Sequence, residues 1–472
     1  MKILLTGATG YIGKRLLPAL IELGHEVVCV VRDKARIDIR AFKDAKIEII
    51  EANLIKSDTM QLLPKDIDIA YYLVHSMSTQ GDFSKTELKS ADNFTNYLDK
   101  TEAKQLIYLS GIINEKELSN HLKSRKAVEE RLRKGKVSTT VLRAGIIIGS
   151  GSASFEIIRD LVEKLPIMVA PKWLKTKCQP IAVRNVIEFL TGVICKTDTY
   201  NKHFDIYGPN LLSYKQMLEQ FAEVRKLKRK IIIVPVFTPK LSSYWLYFVT
   251  STSYDLAKNL VDSMKIDVIP KENDLFQKLN IHLIPYTKAI DMAFEKIEQN
   301  LVLSSWNDSS GSSIFQNGLS KHIEIPKFGV LLDKQKMKTD NPEEALERIF
   351  SIGGKNGWYY GDWLWGFRGF LDKLFGGVGL KRGRKNAQQT SPGDALDFWR
   401  VILSSKEQKR LLLYAEMKLP GEAWLEFCID EKGIVHQTAT FRPLGIAGRL
   451  YWIAMLPFHY FIFRGMLKRI VH

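Results

Sequence analysis

Cysteine is scarce in this chain, and its few cysteines lie far apart. Cys29, Cys178, Cys195 and Cys428 form no C-x-x-C pair and no spacing of the kind that binds zinc. This scatter argues against a metal site or a disulfide framework, and it is typical of proteins in a reducing compartment.

Long uninterrupted apolar segments are also lacking. The longest apolar stretch, residues 450–463, contains Pro457 and His459 and is shorter than the roughly 20 residues that span a bilayer. Residues 1–5 are too few for a secretory signal and lead directly into a glycine-rich turn. We therefore predict a cytoplasmic protein.

Acidic residues are fewer than basic ones, with 52 Asp and Glu against 69 Lys and Arg and a net charge of +17. Such a charge favours anionic partners, for example nucleotide phosphates, an anionic membrane surface or nucleic acid, although a generally basic solvated surface explains it equally well. Because no recognised nucleic-acid-binding module accompanies the charge, we expect no nucleic-acid binding. The length of 472 residues indicates two or three domains.

The most informative motif is a glycine-rich turn near the N-terminus. It follows the apolar run Ile3-Leu4-Leu5 and precedes a predicted helix over residues 14–23. A strand, a turn with glycines three apart and a helix together form a site for a dinucleotide pyrophosphate, which then faces the helix amides and the positive end of the helix dipole. The spacing G-x-x-G-x-x-G departs from the plainest fingerprint, and a simple glycine-rich turn is the alternative. We predict cofactor contacts from Thr6, Gly7, Thr9, Gly10, Tyr11, Ile12 and Gly13.

Strand-like and helix-like segments alternate through the first half of the chain. This alternation predicts an α/β fold, a Rossmann doubly wound parallel sheet with helices on both faces. The predicted helices include residues 83–100, 121–133 and 214–224. The predicted strands are residues 3–5, 27–31, 47–50, 69–74, 106–109 and 139–142, with a seventh near 203–206.

Residues that follow the second, third and fourth predicted strands are further candidates for cofactor binding. Arg32 and Arg36 follow the second strand, where arginine accommodates the 2′-phosphate of NADP and an acidic residue binds the ribose of NAD. Asp33 lies between the two arginines, and we favour NADP(H) over NAD(H). The candidates after the third and fourth strands are Asn53, Leu54, Val74, His75 and Ser76.

Several stretches resemble an atypical subgroup of the short-chain dehydrogenase/reductase (SDR) superfamily. This subgroup includes NmrA-like proteins and the NADPH-carrying accessory subunit of respiratory complex I. The resemblance covers about residues 1–300 and implies an NAD(P)-binding domain, with residues 226–300 as a helical supplement. It rests on residues 6–13, 71–77, 109–111, 121–125, 142–145 and 179–181.

The resemblance also implies positions for catalytic residues. Active members use a strand-end serine and a Tyr-x-x-x-Lys pair, in which the tyrosine exchanges the carbinol proton. Ser110 occupies the serine position and Lys126 the lysine position, but Leu122 occupies the tyrosine position. Because leucine cannot exchange a proton, ordinary carbonyl reduction is in doubt. Other titratable candidates are His75, Tyr72 and His121.

Three interpretations of the function follow from this departure. The first is an oxidoreductase with a non-standard acid that acts on an unknown hydrophobic substrate. The second is a non-catalytic NADP(H)-dependent sensor or regulator. The third is an accessory or assembly factor for a membrane complex.

The last third of the chain differs in composition and resembles a different family. Residues 353–360, 376–384, 397–401 and 416–424 resemble a domain of unknown function that often follows this dehydrogenase module in bacterial proteins. That domain is similar to the helix-grip (START-like, polyketide-cyclase-like) superfamily. The resemblance implies an α+β domain in which an antiparallel sheet closes around a long helix and holds a hydrophobic small molecule. The predicted strands are residues 411–418, 423–430 and 433–442.

The predicted domains are thus residues 1–300, a linker over 301–320 and the helix-grip-like domain over 321–472. Six of the nine tryptophans lie after residue 321, where they either line a ligand cavity or fill a core. The basic run 381–385 is either a solvated loop or a grip on an anionic headgroup. Residues 451–463 are either the gripping helix, which we favour, or a peripheral membrane contact.

Overall fold

The computed structural model divides into two compact units, residues 1–250 with 254–313 and, as the second, chiefly residues 314–472. The predicted linker, residues 301–320, lies outside the described residues. The structure describes residues 1–34, 37, 45–74, 83–113, 120–234, 261, 264–298, 330–374, 377, 379, 390–443 and 445–472.

The N-terminal unit alternates strands and helices along the chain. Its described strands are β1 (Lys2–Thr6), β2 (Glu26–Val31), β3 (Ile47–Glu51), β4 (Ile69–Tyr72), β5 (Gln105–Gly111), β6 (Ser138–Ala144), β7 (Ile147–Ile148), β8 (Ile167–Pro171), β9 (Lys177–Cys178), β10 (Ile181–Ala182), β11 (His203–Ile206), β12 (Leu212–Ser213) and β13 (Lys230–Val234). Its described helices are α1 (Gly13–Glu22), α2 (Phe83–Leu98), α3 (Asn120–Leu132), α4 (Ala153–Lys164), α5 (Val183–Gly192), α6 (Tyr214–Val224), α7 (Leu275–Lys278) and α8 (Tyr286–Glu298).

Seven of the described strands form one parallel sheet in the order β3-β2-β1-β4-β5-β6-β11. This is the Rossmann order with one further strand, so the predicted fold class is confirmed. Both faces of the sheet are apolar: Leu5 packs with α1 and α5, whereas Leu4 packs with α2 and α3. Burial on both faces is the reason that these strands are nearly continuous apolar runs. The chain reverses direction across the sheet between β1 and β4, which is where ligands bind in such folds.

The C-terminal unit has a different architecture. Six described strands form an antiparallel sheet in the order β14-β19-β18-β17-β16-β15. These strands are β14 (Leu331–Lys338), β15 (Ala395–Leu396), β16 (Trp399–Ser405), β17 (Arg410–Ala415), β18 (Gly421–Ile429) and β19 (Ile434–Pro443), and the helices are α9 (Pro342–Phe350), α10 (Asp362–Leu374) and α11 (Gly445–Val471). The antiparallel sheet and its last three strands confirm the prediction for this region.

Tryptophans fill much of the core of this unit. The rings of Trp358 and Trp365 stack with centroids 4.7 Å apart, and Trp399 lies 6.3 Å from Trp358. All three are buried, together with Trp424 and Trp452, whereas Trp363 is exposed. Packing of these rings against one another supports the interpretation that they fill a core.

The final helix is longer than the sequence analysis predicted. The predicted gripping helix covers residues 451–463, whereas α11 is continuous over 27 residues and passes through Pro457. A proline inside a helix removes one hydrogen bond, but its φ is already helical, so a long helix can continue through it. By length and composition, residues 446–471 could cross a membrane. Only 17% of the most apolar 18-residue segment of this helix is buried.

Candidate functional site

The glycine turn lies between β1 and α1, at the point where the sheet order reverses. Gly7 has a φ of +73°, which disfavours side chains, and the Gly10 amide donates to the Gly7 carbonyl at 2.9 Å. A Cβ atom on Gly7 would lie 2.7 Å from the carbonyl oxygen of Leu73, and one on Gly13 would lie 2.2 Å from that of Gly7. Both glycines are therefore required by close backbone contacts.

Gly10 differs from the other two glycines. Among the described residues, a Cβ atom there would meet only the Gly7 carbonyl oxygen, at 3.1 Å. Helix α1 has no side-chain cap at Ile12 and no acidic residue in its first turn, so no carboxylate there competes with a ligand for the helix amides. The turn therefore fits a pyrophosphate, which needs a side-chain-free backbone at the positive end of a helix.

The side chains around the turn mainly hold it in place. Thr6 Oγ1 donates to the Tyr71 carbonyl at 2.8 Å and so joins β1 to β4. Arg15 donates to the carbonyls of Tyr11 and Ser150, at 3.0 and 2.8 Å, and its guanidinium lies 3.9 Å from the Tyr11 ring centre. Burial raises the pKa of Tyr11 to about 12. Thr6 thus supports the turn through a buried side chain, while Thr9, Tyr11 and Ile12 are half-buried.

The other predicted cofactor residues lie in two kinds of environment. Arg32 follows β2 and is exposed, and Val74 follows β4 and is half-buried. Asn53 Oδ1 accepts from the Ile55 amide at 3.1 Å in a local turn, and Leu54 is buried among the residues between the sheet, α2 and α3. The remaining three lie outside the described residues: Arg36, His75 and Ser76.

Of the positions that the resemblance implies, Ser110 and Leu122 lie close together at the carboxyl end of β5. Ser110 is buried; its Oγ has no hydrogen bond of full geometry with the described residues, and the Tyr108 hydroxyl lies close enough to interact with it. Leu122 lies beside it, because a Cβ atom on Gly111 would be 3.2 Å from Leu122 Cδ2. Lys126 is exposed one turn further along α3. The structure therefore places leucine against the strand end where the resemblance implies a tyrosine.

A cluster of polar side chains that sequence reasoning did not identify lies beside Ser110. Arg125 Nη1 donates to the Leu109 carbonyl at 3.1 Å, whereas its buried Nε has no hydrogen-bond partner among the described residues. Ser124 Oγ donates to the buried carboxylate of Glu87 at 2.5 Å. Nothing in the sequence indicates that α2 packs beside α3, so only the structure shows that Glu87 lies near Ser124.

Tyr72 and Tyr108 complete the cluster on the same face of the sheet, with ring centres 5.8 Å apart. Burial raises the pKa of both hydroxyls, and the nearby Arg125 guanidinium offsets only part of this shift. Tyr72 is therefore a poor proton donor near neutral pH. The buried hydroxyl of Ser110 and the guanidinium of Arg125 are donors from which a substrate oxygen could accept hydrogen bonds.

Comparisons with known proteins agree with this geometry. Residues 7–161 match a family model described as NAD(P)H-binding. A triphenylmethane reductase from Citrobacter sp. shares the fold, with a TM-score of 0.51 and 15% identity over 62% of this chain and 100% of that structure. The N-terminal unit thus has a Rossmann fold, and its residues 7–161 are similar to NAD(P)H-binding domains.

Two distant curated relatives of this domain have reductase in their names. The chloroplastic divinyl chlorophyllide a 8-vinyl-reductase of Arabidopsis thaliana is 23% identical over 226 residues, which are 44% of this chain and 54% of that protein. An isoflavone reductase homolog of the same plant is 31% identical over 105 residues, which are 21% of this chain and 34% of that protein. The chain thus spans about half of the length of the first relative and less of the second.

The C-terminal unit matches a second family model. Residues 329–466 match a family described as a protein of unknown function, DUF2867. Within this unit, the Gln437 side chain is fully buried, and neither its amide oxygen nor its nitrogen has a hydrogen-bond partner among the described residues. Gln437 lies on the same face of β19 as Val435 and Ala439, which belong to the core. An unsatisfied amide in an apolar core is rare.

Proposed function

We propose that the protein is an NADP(H)-dependent reductase of a hydrophobic substrate. The observation that carries the proposal is the position of two buried hydrogen-bond donors, Ser110 and Arg125, near the end of β5, two strands from the dinucleotide turn. A hydride acceptor bound at this edge of the sheet would lie at the crevice where Rossmann domains hold their ligands.

The preference for NADP(H) rests on Arg32, an exposed residue directly after β2; desolvation lowers the pKa of its guanidinium, which stays charged at neutral pH. We expect Arg32→Glu to weaken NADPH binding by about tenfold to a hundredfold, because a charge-assisted contact with the 2′-phosphate is replaced by repulsion. NADH binding should change much less, as measured by calorimetry. Lys104→Glu is the matched control, since Lys104 is exposed at the amino end of β5, opposite the crevice. An equal loss of NADPH and NADH affinity in Arg32→Glu would contradict this preference.

The chemistry that we propose does not require the tyrosine that Leu122 replaces. A bound reduced nicotinamide supplies the hydride. Ser110 and Arg125 would donate hydrogen bonds to a substrate oxygen and so stabilise the negative charge that collects there. This arrangement suits a carbon–carbon double bond conjugated to a carbonyl group, because the hydride adds to carbon and solvent can protonate the adjacent carbon. The names of the relatives, a vinyl-reductase and an isoflavone reductase homolog, support this substrate class.

Benzylideneacetone, a conjugated enone, tests this proposal, and acetophenone, a simple ketone, is the comparison substrate. We expect oxidation of NADPH with benzylideneacetone only. Arg125→Leu should lower kcat by about a hundredfold, because one donor to the developing oxyanion is lost. NADPH affinity should stay unchanged, and Arg125→Lys should restore part of the rate, which a purely structural role would not produce. Lys123→Leu, an exposed position on the same helix, is the control.

The alternative is a non-catalytic NADP(H)-dependent sensor or accessory factor. The contact of Leu122 with the end of β5 favours it, because an aliphatic side chain fills the place of the usual acid. Purified protein that binds NADPH tightly but oxidises it with neither probe nor with the quinone menadione would support this alternative over the reductase.

For the C-terminal unit, we propose a helix-grip-like domain that holds a hydrophobic molecule. The support is the packing of the long helix α11 against β14 and β19, together with the unsatisfied buried amide of Gln437. A ligand that carries one polar group would satisfy this amide and leave the rest of its surface among apolar side chains. Mass spectrometry of molecules that co-purify with the native protein would identify it.

A further inference from the structure

Helix α10 carries an unusually apolar exposed face. Trp363, Phe367, Phe370 and Leu374 are separated by four, three and four residues, so they share one side of the helix. Their exposed fractions are 73%, 55%, 55% and 55%, whereas Trp365 on the other side is buried in the core. The helix therefore presents one apolar face to the core and a second apolar face to the outside.

Helix α11 repeats this pattern on a larger scale. Ile446, Leu450, Ile453 and Phe461 lie on one side of the helix, with exposed fractions of 78%, 62%, 62% and 65%. The exposed Pro457 lies on the same side between Ile453 and Phe461. We call these four residues and the four on α10 the apolar surface.

The apolar surface is a concentration of exposed groups rather than a random scatter. Of the 21 large apolar side chains exposed in the described part of the chain, four lie on α10 and seven on α11. Single exposed apolar side chains are normal, but continuous stripes of this length mark a surface that is covered by a partner or a membrane. The two helices meet where the rings of Trp365 and Phe463 lie 6.3 Å apart.

The charges that flank the apolar surface identify the partner. Helix α11 contains no Asp or Glu, and its exposed charged residues are Arg449, Arg464, Lys468 and Arg469. Exposed aromatic and aliphatic side chains combined with basic residues are typical of helices that lie in the interface of membranes with anionic lipids.

We propose that the C-terminal unit binds the surface of membranes that contain anionic lipids, through the apolar surface on α10 and α11. The aromatic and aliphatic side chains enter the boundary between headgroups and acyl chains, and the basic side chains contact lipid phosphates. This inference goes beyond the proposed reductase function and does not depend on it.

The structure favours a helix that lies in the interface over one that crosses the bilayer. The last third of α11 is part of the core, because Phe463, Met466, Leu467 and Ile470 are buried. Only residues 446–461 then remain to enter the bilayer. At 1.5 Å per residue this segment is roughly 24 Å long, which is shorter than the hydrocarbon layer of about 30 Å. A spanning helix would require this core to open.

Flotation of the full chain with lipid vesicles tests the proposal. The vesicles contain either phosphatidylcholine alone or phosphatidylcholine mixed with phosphatidylglycerol. We expect binding to the anionic vesicles, weakened by salt, and little binding to the neutral ones. Phe367→Ser/Phe370→Ser and Ile453→Ser/Phe461→Ser test the two stripes separately, and each should reduce the affinity by about tenfold or more, since each removes two large apolar groups from the lipid contact.

The controls separate membrane binding from general effects on the protein. Leu332→Ser and Leu62→Ser remove exposed leucines outside the apolar surface, and binding should not change. Lys468→Glu/Arg469→Glu should weaken binding about tenfold at low salt and much less at high salt. Circular dichroism and tryptophan fluorescence establish that each variant is folded, since most of the tryptophans lie in the C-terminal unit.

Three results would overturn the proposal. The first is a folded wild-type protein that floats with neither vesicle at low salt. The second is the absence of vesicle binding together with a dimer that light scattering detects without lipid and that both serine double variants dissociate. That result would assign the apolar surface to a second copy of the chain. The third is protein that resists extraction from membranes by alkaline carbonate, which would indicate a spanning helix.

Discussion

Replacing Gly10 with aspartate should abolish the binding of NADPH, with a loss of affinity of at least about a hundredfold, because a carboxylate would replace the backbone surface that faces the pyrophosphate. The φ angle of Gly10 is not in the left-handed region, and its only close described neighbour is the Gly7 carbonyl oxygen at 3.1 Å. The substitution therefore changes the charge and space at the turn, and it requires the Gly7 carbonyl oxygen to move by only a few tenths of an ångström. Calorimetric titration with NADPH is the measurement.

Gly366→Asp is the matched control for this substitution. It introduces the same charge at a glycine in α10, where a Cβ atom would have no described neighbour within 4 Å and where φ is not left-handed. NADPH affinity should stay at the wild-type value in this variant. If Gly10→Asp also binds NADPH normally while remaining folded, the pyrophosphate does not lie at this turn, and the proposed reductase site is misplaced.

Glu416→Ala should destabilise the C-terminal unit by about 3–5 kcal/mol, because it leaves a buried guanidinium without its carboxylate. Arg400 and Glu416 are almost completely buried and form a two-pronged ion pair, with Arg400 Nε and Nη2 donating to the two carboxylate oxygens at 2.9 and 3.0 Å. Arg400 Nη1 also donates to the Gly393 carbonyl at 2.9 Å. Urea unfolding followed by tryptophan fluorescence measures the change, since most of the tryptophans lie in this unit.

A neighbouring ion pair supplies the comparison. Arg410 and Glu426 join β17 to β18 in a more exposed position, so Glu426→Ala should cost about 1 kcal/mol or less. The double variant Arg400→Met/Glu416→Leu should recover much of the stability that Glu416→Ala loses, because neither charge then remains buried. Equal losses of unfolding free energy in Glu416→Ala and Glu426→Ala would show that burial does not control the strength of these ion pairs.

Local sequence patterns were sufficient to predict the parallel sheet. Each of its strands is a short apolar run, and buried strands of parallel sheets need such runs because helices cover both faces. The helix over Tyr214–Val224 was predicted with the observed bounds, and in the structure Ser213 and Gln216 form a capping box at its start. By contrast, the predicted gripping helix over residues 451–463 is much longer in the structure, where α11 covers Gly445–Val471 and continues through Pro457.

The candidate site was predictable only in part. The glycine turn is contiguous in sequence, and its chemistry follows from the backbone, so Gly7, Gly10 and Gly13 could be identified from spacing. The roles of Arg125 and Glu87 could not, because they depend on α2 and α3 lying side by side against β5. The role of Leu54 in the core likewise depends on packing that spacing does not encode.

The sequence by itself determined the two fold classes and the place of the dinucleotide turn, because apolar periodicity and glycine spacing act over a few neighbouring residues. Tertiary structure alone decided which polar groups are buried without partners among the described residues, such as Gln437, and which apolar groups remain outside, such as Trp363 and Phe461. Burial depends on every element that packs around a side chain, and those elements come from distant parts of the chain.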